Sequence, residues 1–214
     1  MIKTLKSRGP RPNSPAVEAE KIMGKQIALG TIVGAVVIFI VSSIWHIVLP
    51  FSETGFHVLP HEEVLHTALR LGITDPGIYM FPGMDVTKQN DPAEQKRFAD
   101  KFRQGPTGLI IFQPGGKDFS FPKLLVNQFL FQLMAAFVVS LLLAMSAAAM
   151  PNYLQRVLFV ALVAVFGSLV IDLPYWNWYG FPGNYTLEHL CEMLLTWGAT
   201  GFAIAAVVKP RAAV

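Results

Sequence analysis

A single cysteine, Cys191, stands in a chain of 214 residues, so no intrachain disulfide can form. Loops outside any core must hold themselves by packing. Charge is scarce as well: Asp, Glu, Lys and Arg make up 14% of the chain, against about 25% in an average soluble domain. There is no Gly-rich phosphate loop, no nucleophile elbow and no dinucleotide fingerprint. These absences remove the motif-based routes to nucleotide and hydrolase chemistry and leave the enzyme question open, leaning toward a non-enzymatic chain. The basic N-terminal stretch carries Lys3, Lys6, Arg8, Arg11, Lys21 and Lys25 against Glu18 and Glu20, yet contains no aromatic residue. A nucleic-acid partner is therefore not expected.

Apolar runs are what the chain has in abundance. Four occur, near Ile27–Leu49, Leu124–Ala149, Val157–Leu173 and Leu187–Val208. Crossing a hydrocarbon core about 30 Å thick takes roughly 20 helical residues. Three runs reach that length, and the third does so when its flanks are counted. The fold class expected is an all-α polytopic membrane protein: a four-transmembrane-helix bundle with a small α+β extramembrane cap between helices 1 and 2. The boundaries read as a basic, flexible N-terminus at 1–25, membrane helices at 26–49, 124–149, 153–173 and 187–208, the cap at 50–123, an aromatic outer loop at 174–186 and a tail at 209–214. Helix is expected from Pro15 onward as the chain nears the bilayer.

The first apolar run exceeds a signal-peptide core of roughly 7–15 residues, and Trp45, His46, Leu49 and Pro50 at its end leave no small-residue cleavage site. It reads as a retained anchor. Its basic flank places the N-terminus in the cytoplasm, and four crossings return the C-terminus there. Arg156 in the short inner connection, with Lys209 and Arg211 in the tail, votes the same way. The lack of disulfide staples in a long outer loop favours a bacterial inner (plasma) membrane.

Inside the cap, His61–Leu71 reads as an amphipathic helix. A second helix opens at Asp91 as N-cap with Pro92 at its first position, and runs to about Arg103. Gly77–Phe81 and Gly108–Phe112 read as strands ended by Pro82-Gly83 and Pro114-Gly115 turns. Met150-Pro151-Asn152 predicts a tight turn that makes membrane helices 2 and 3 an antiparallel hairpin. Thr186 reads as the cap of helix 4.

One polar constellation recurs at a single end of the bundle. His46, Asp172, Glu188, His189 and Glu192 all fall at outer helix ends, with Gln128 and Gln132 approaching from helix 2. Ionisable groups at that depth are paired, hydrated or functional. His189 and Glu192, three apart, are expected on one helix face. The set could be solvated or paired helix ends, could ligate a metal or a haem, or could line an ion or substrate path. His57, His61, Glu62, Glu63 and His66 resemble a His-Glu-x-x-His motif only superficially. His61 and His66 are five apart, about 140° around a helix, so they cannot chelate one zinc. The six aromatics in the eleven residues 175–185, with Tyr175, Trp176, Trp178 and Tyr179 foremost, read as an interfacial belt or as a lid over an apolar ligand. Gly30 and Gly34 form a helix-packing pair, for neighbours within the chain or in a second copy. Cys191 reads as a buried small residue.

The order of helix, long outer loop, helix, short turn, helix, short outer loop, helix resembles that of claudin-type tetraspans. The resemblance is one of topology: the paired cysteines and Trp-rich loop motif of that family are missing here, and no function follows from it. Three functions stay open, in this order. The first is a non-enzymatic accessory, assembly or scaffold subunit of a membrane complex, contacting the lipid bilayer and a membrane-protein partner or a second copy. The second is a binder of metal, haem, quinone or lipid at the outer cluster. The third is a small transporter or channel.

Overall fold

The structure, a computed structural model, describes residues 15–49 and 54–210. Most of the expected flexible N-terminus and the last four residues lie outside them. The elements are α1 (Pro15–Val48), α2 (Glu62–Gly72), β1 (Gly77–Phe81), α3 (Pro92–Gln104), β2 (Gly108–Phe112), α4 (Phe121–Ser146), α5 (Tyr153–Tyr179) and α6 (Gly183–Val207). Four of them, α1, α4, α5 and α6, are long and apolar enough to cross a membrane. The chain is a multi-spanning helical membrane protein with a two-stranded cap between α1 and α4.

The helices are longer than their apolar runs. α1 has 34 residues, about 51 Å at 1.5 Å per residue, so its basic first turns extend beyond a hydrocarbon core. The helix after the tight turn starts on a capping box: Asn152 accepts from the Leu154 amide at 3.2 Å, and Gln155 accepts from the Asn152 amide at 3.3 Å.

Several boundaries differ from the sequence reading, and two of them bear on the site. α5 does not stop at Leu173; it runs through Pro174 to Tyr179. A proline removes one backbone donor, a loss that membrane helices tolerate. The actual stop is Gly180, at φ 71, whose amide bonds back to Tyr175 O. That is the left-handed conformation glycine adopts most cheaply. α6 then starts at Gly183, so Thr186 is not its N-cap. The Thr186 hydroxyl lies inside the first turn and donates to Pro182 O at 3.2 Å. The expected aromatic loop at 174–186 is thus mostly helix.

The expected hairpin of α4 and α5 is also corrected. They are joined by the tight turn but touch little. α4 packs on α1, α1 on α6, and α6 on α5. Glycines decide these contacts. A Cβ on Gly30 would lie 2.9 Å from Ser140 Oγ and 3.0 Å from Val208, and one on Gly34 would meet Ile204 at 2.8 Å. The Gly30–Gly34 face is therefore filled by α4 and α6 of the same chain. A Cβ on Gly201 would lie 3.1 Å from Val157 O, which holds α6 close to α5. The four helices share one core, with Leu143, Val160, Ile204 and Val208 fully buried, at the end away from the cap. Cys191 is exposed, not buried. Glu192, Thr196 and Thr200, spaced four apart, are buried, and residue 191 is rotated about 100° from Glu192 and further from the two threonines.

The cap follows the expected elements closely. Both strands have the predicted ends and pair antiparallel, with Ile78 opposite Ile111 and Met80 opposite Leu109. Asp91 caps α3 by accepting from the Ala93 amide at 2.9 Å. A clamp fastens α3 to the preceding turn. Arg97 donates to both Glu94 oxygens, at 2.5 and 2.6 Å, and to Gly83 O at 2.9 Å, while Glu94 accepts from the Asp85 amide at 3.0 Å. The Arg97 guanidinium, then the Asp85 amide, hold the Glu94 carboxyl at about 2, below its ordinary 4.5. A lowered carboxyl stabilises fully above its ordinary value and ceases to do so as pH falls through the lowered one. The Asp85 amide resonance of the intact protein should therefore titrate with a midpoint near 2. A midpoint at the ordinary carboxyl value would mean the clamp is open in solution.

Candidate functional site

The polar residues expected at the outer helix ends are brought together, but in pairs. α6 sits between α1 and α5 and offers a different residue to each. His189 Nδ1 lies 2.8 Å from Asp172 Oδ2 on α5, and the Ser168 hydroxyl, one turn earlier on α5, donates to the same oxygen. An ionised Asp172 can only accept, and the contact then requires the His189 proton on Nδ1. On the other side His46 Nε2 of α1 lies 3.1 Å from Glu192 Oε1. Trp45 Nε1 donates to Glu188 Oε1 at 2.5 Å. His189 and Glu192 thus serve different neighbours and not one shared face. Among the described residues no three His, Cys, Asp or Glu converge to hold a metal ion.

Burial separates the two pairs. Asp172 is 7% exposed and Glu192 8%. The His189 side chain is 34% exposed and that of His46 56%. The α5–α6 pair is the more enclosed, and the α1–α6 pair is open on its histidine side.

Between the outer halves of α1, α4 and α6 lies a cleft of about 670 Å³. It follows from the layout: the helices converge at the far end and α4 makes little contact with α5. Ile38, Phe39, Leu125, Phe131 and Trp197 supply apolar walls, and His46, Gln128, Gln132, Glu188 and Glu192 supply polar groups. Gln132 is 6% exposed. Its Nε2 donates to Ser42 Oγ at 3.0 Å, and Ser42 itself donates to Phe39 O at 3.3 Å. The serine proton is thereby used, so Gln132 must present its NH₂ to Ser42. Its Oε1 is then left buried without a partner.

Comparison with family models, with curated proteins and with solved structures finds no match for this chain. What the site does must be read from its own geometry.

The aromatic stretch forms a stack, and of its residues only Tyr185 borders that cleft. Tyr175 packs edge-on against Tyr179 and stacks on Phe181, Phe181 meets Tyr185, and Tyr185 lies parallel to the His189 ring at 6.2 Å. Phe56, after α1, meets Tyr185 edge-on at 5.5 Å. Trp178 is 75% exposed. Trp176 lines a smaller pocket of about 340 Å³ beside Asp172 and Ser168. None of Tyr175, Trp176, Trp178 and Tyr179 lines the larger cleft; its tyrosine is Tyr185. In the cap, His61 takes a left-handed conformation before α2, at φ 53, and His66 borders a groove with Arg70.

Sequence reasoning did not single out Trp45, Ser168 or the buried end of Gln132. Ser168 had a signal: it precedes Asp172 by four residues, one helical turn. Sequence reasoning used Arg156 only as a topology signal in the short inner connection. Arg156 is 5% exposed and donates to Met150 O, Pro151 O and Ala205 O at 3.1, 3.0 and 3.4 Å.

Proposed function

We propose that this chain is a non-enzymatic accessory subunit of a membrane complex, and that its cap is the docking element for a protein partner. One observation carries the reading: no residue among 54–120 is buried. Both strands are apolar on both faces, a pattern that belongs to strands covered on two sides. Here Ile78 is 70% exposed and its cross-strand partner Ile111 69%. Val64 and Leu71 of α2 and Phe102 of α3 are exposed as well. A small segment without staples that leaves its apolar groups in water needs a cover.

Charge favours protein over an anionic lipid surface as that cover. Residues 50–123 hold eight Lys or Arg against nine Asp or Glu, so no net positive charge draws the cap to headgroups. A transporter needs polar groups continuous through the bundle. The hydroxyls of Thr196 and Thr200 are turned onto carbonyls of their own helix instead, at 2.8 Å each.

The protein sits in the bilayer of a bacterial inner membrane, with both termini cytoplasmic and the cap outside. The basic flank of α1 supports that orientation. Protease added to intact spheroplasts should cut between Lys96 and Arg103. Cleavage only after lysis reverses the orientation.

The partner test uses the whole protein, tagged and extracted gently from its own host. Wild type should bring down one partner in stoichiometric amount. Ile78→Lys with Ile111→Lys should lose that partner while the protein keeps its yield and helicity, because both side chains are exposed. Retention of the partner by the double variant, or wild type emerging alone, would sink the docking reading.

A further inference from the structure

The cleft between α1, α4 and α6 is lined by none of the exposed cap strands and has the properties of a ligand site. Its volume, about 670 Å³, falls within the range of roughly 300–1,000 Å³ typical of small-molecule pockets. Its walls are apolar and its few polar groups are gathered at the cap end.

Those polar groups are short of donors. Gln132 Oε1 is a buried acceptor with no partner, in an amide whose orientation Ser42 fixes. An unmet buried acceptor is costly, and native structures leave few of them. Glu188 and Glu192 present two carboxyls to the same space. Trp45 and His46 each reach one oxygen of them, Oε1 in both cases. A carboxylate can accept several hydrogen bonds, so capacity remains. A guest that completes the site must donate.

The rim tells where the guest comes from. Ile47 is 75% exposed, Phe131 62% and Phe121 55%, and all three border the cleft. They belong to the outward apolar surfaces of α1 and α4, the surfaces a bilayer covers. We propose that the cleft takes one amphiphile from the surrounding leaflet, whose head carries a primary amine. The amine donates to Gln132 Oε1 and to the carboxyls of Glu188 and Glu192. The acyl chain lies along Phe39, Leu125 and Phe131. Ammonium-to-carboxylate hydrogen bonds are charge-assisted and shorter than neutral ones, and a quaternary ammonium of the same charge cannot make them. The site should therefore tell phosphatidylethanolamine from phosphatidylcholine.

The test is native mass spectrometry of the whole protein released from nanodiscs. The discs hold palmitoyl-oleoyl phosphatidylethanolamine, phosphatidylcholine or phosphatidylglycerol. Expected is one retained phosphatidylethanolamine per chain, favoured over phosphatidylcholine by about tenfold, the ratio that corresponds to about 1.4 kcal/mol. Glu192→Gln and Gln132→Met should each reduce that preference. Equal retention of the three lipids, or none retained from phosphatidylethanolamine discs, overturns the proposal. So does a preference that survives both variants, which would locate the amine elsewhere. Free ethanolamine, added to lipid-loaded protein, should not displace the lipid. If it does at equal concentration, the site is one for a soluble amine and the leaflet source is wrong.

Discussion

Replacing His189 with Leu should destabilise the protein by about 1–3 kcal/mol, the scale for leaving a buried acceptor short of its donor. The expectation follows from what would be left behind. Asp172 is 7% exposed, and its Oδ2 receives the His189 ring and the Ser168 hydroxyl. Without the imidazole, the carboxylate keeps one neutral donor in a buried position between α5 and α6. An ordinary polar pair between membrane helices would predict less, since measured interhelical hydrogen bonds average about 0.6 kcal/mol. The two views differ enough for reversible denaturation in mixed micelles to separate them.

The double replacement sharpens the test. His189→Leu together with Asp172→Leu removes donor and acceptor at once, and an apolar pair of similar volume is often neutral or stabilising. The double variant should be more stable than His189→Leu alone, so that the second substitution repairs the first. Additive losses would show that the two side chains do not act as a pair. His46→Leu should cost less than His189→Leu, because the His46 side chain is 56% exposed, although Glu192 is as buried as Asp172.

The residues just discussed also mark where sequence reading stops. That His46, Asp172, Glu188, His189 and Glu192 gather at one end was legible, because alternate helices must start and end on the same side. Which residue meets which was not. Helical spacing puts His189 and Glu192 on neighbouring positions, but whether that means one shared partner or two depends on what flanks α6. The flanks are set by close approaches at Gly30, Gly34 and Gly201, and a small residue reads alike whichever helix it admits. The short turn at Met150–Asn152 suggested that α4 and α5 are packing partners. It constrains only where they are joined. The open cleft comes from that difference, so the sequence could name its polar residues but not its space. Pro174 and Gly180 were both visible, yet proline was read as the stop, although a membrane helix loses only one backbone bond to it. The cap strands were fully legible, since glycine opens each and a Pro-Gly turn follows each closely. Their being apolar on both faces was visible too, but only the fold shows that nothing among the described residues covers them.

Arg156→Met should cost about 2–3 kcal/mol, with the loss concentrated at the end of the bundle away from the cap. Arg156 is the fastening there. Its guanidinium joins the carbonyls of Met150 and Pro151, in the turn after α4, to Ala205 O in the last turn of α6. Helix C-termini hold unpaired carbonyls and the negative end of the dipole, so a cation is favoured by both. The opposing effect is the burial of a charge: Arg156 is 5% exposed and its Nε has no partner. Loss should win, because hydrogen bonds to a charged group contribute about 1.5–3 kcal/mol each and Met leaves three carbonyls short of a donor. Lys distinguishes charge from shape. An ammonium is a compact point charge, whereas the planar fork reaches acceptors in different directions. Arg156→Lys should therefore recover only part of the stability, and amide exchange should quicken near Met150 and Ala205. If Lys matched Arg, the dipole alone would explain the site and the three-carbonyl bridge would not be needed. The cleft at the opposite end depends on α1, α4 and α6 spreading beyond this fastening. A Met variant that still folds should keep its lipid selectivity, since no group of the cleft touches Arg156.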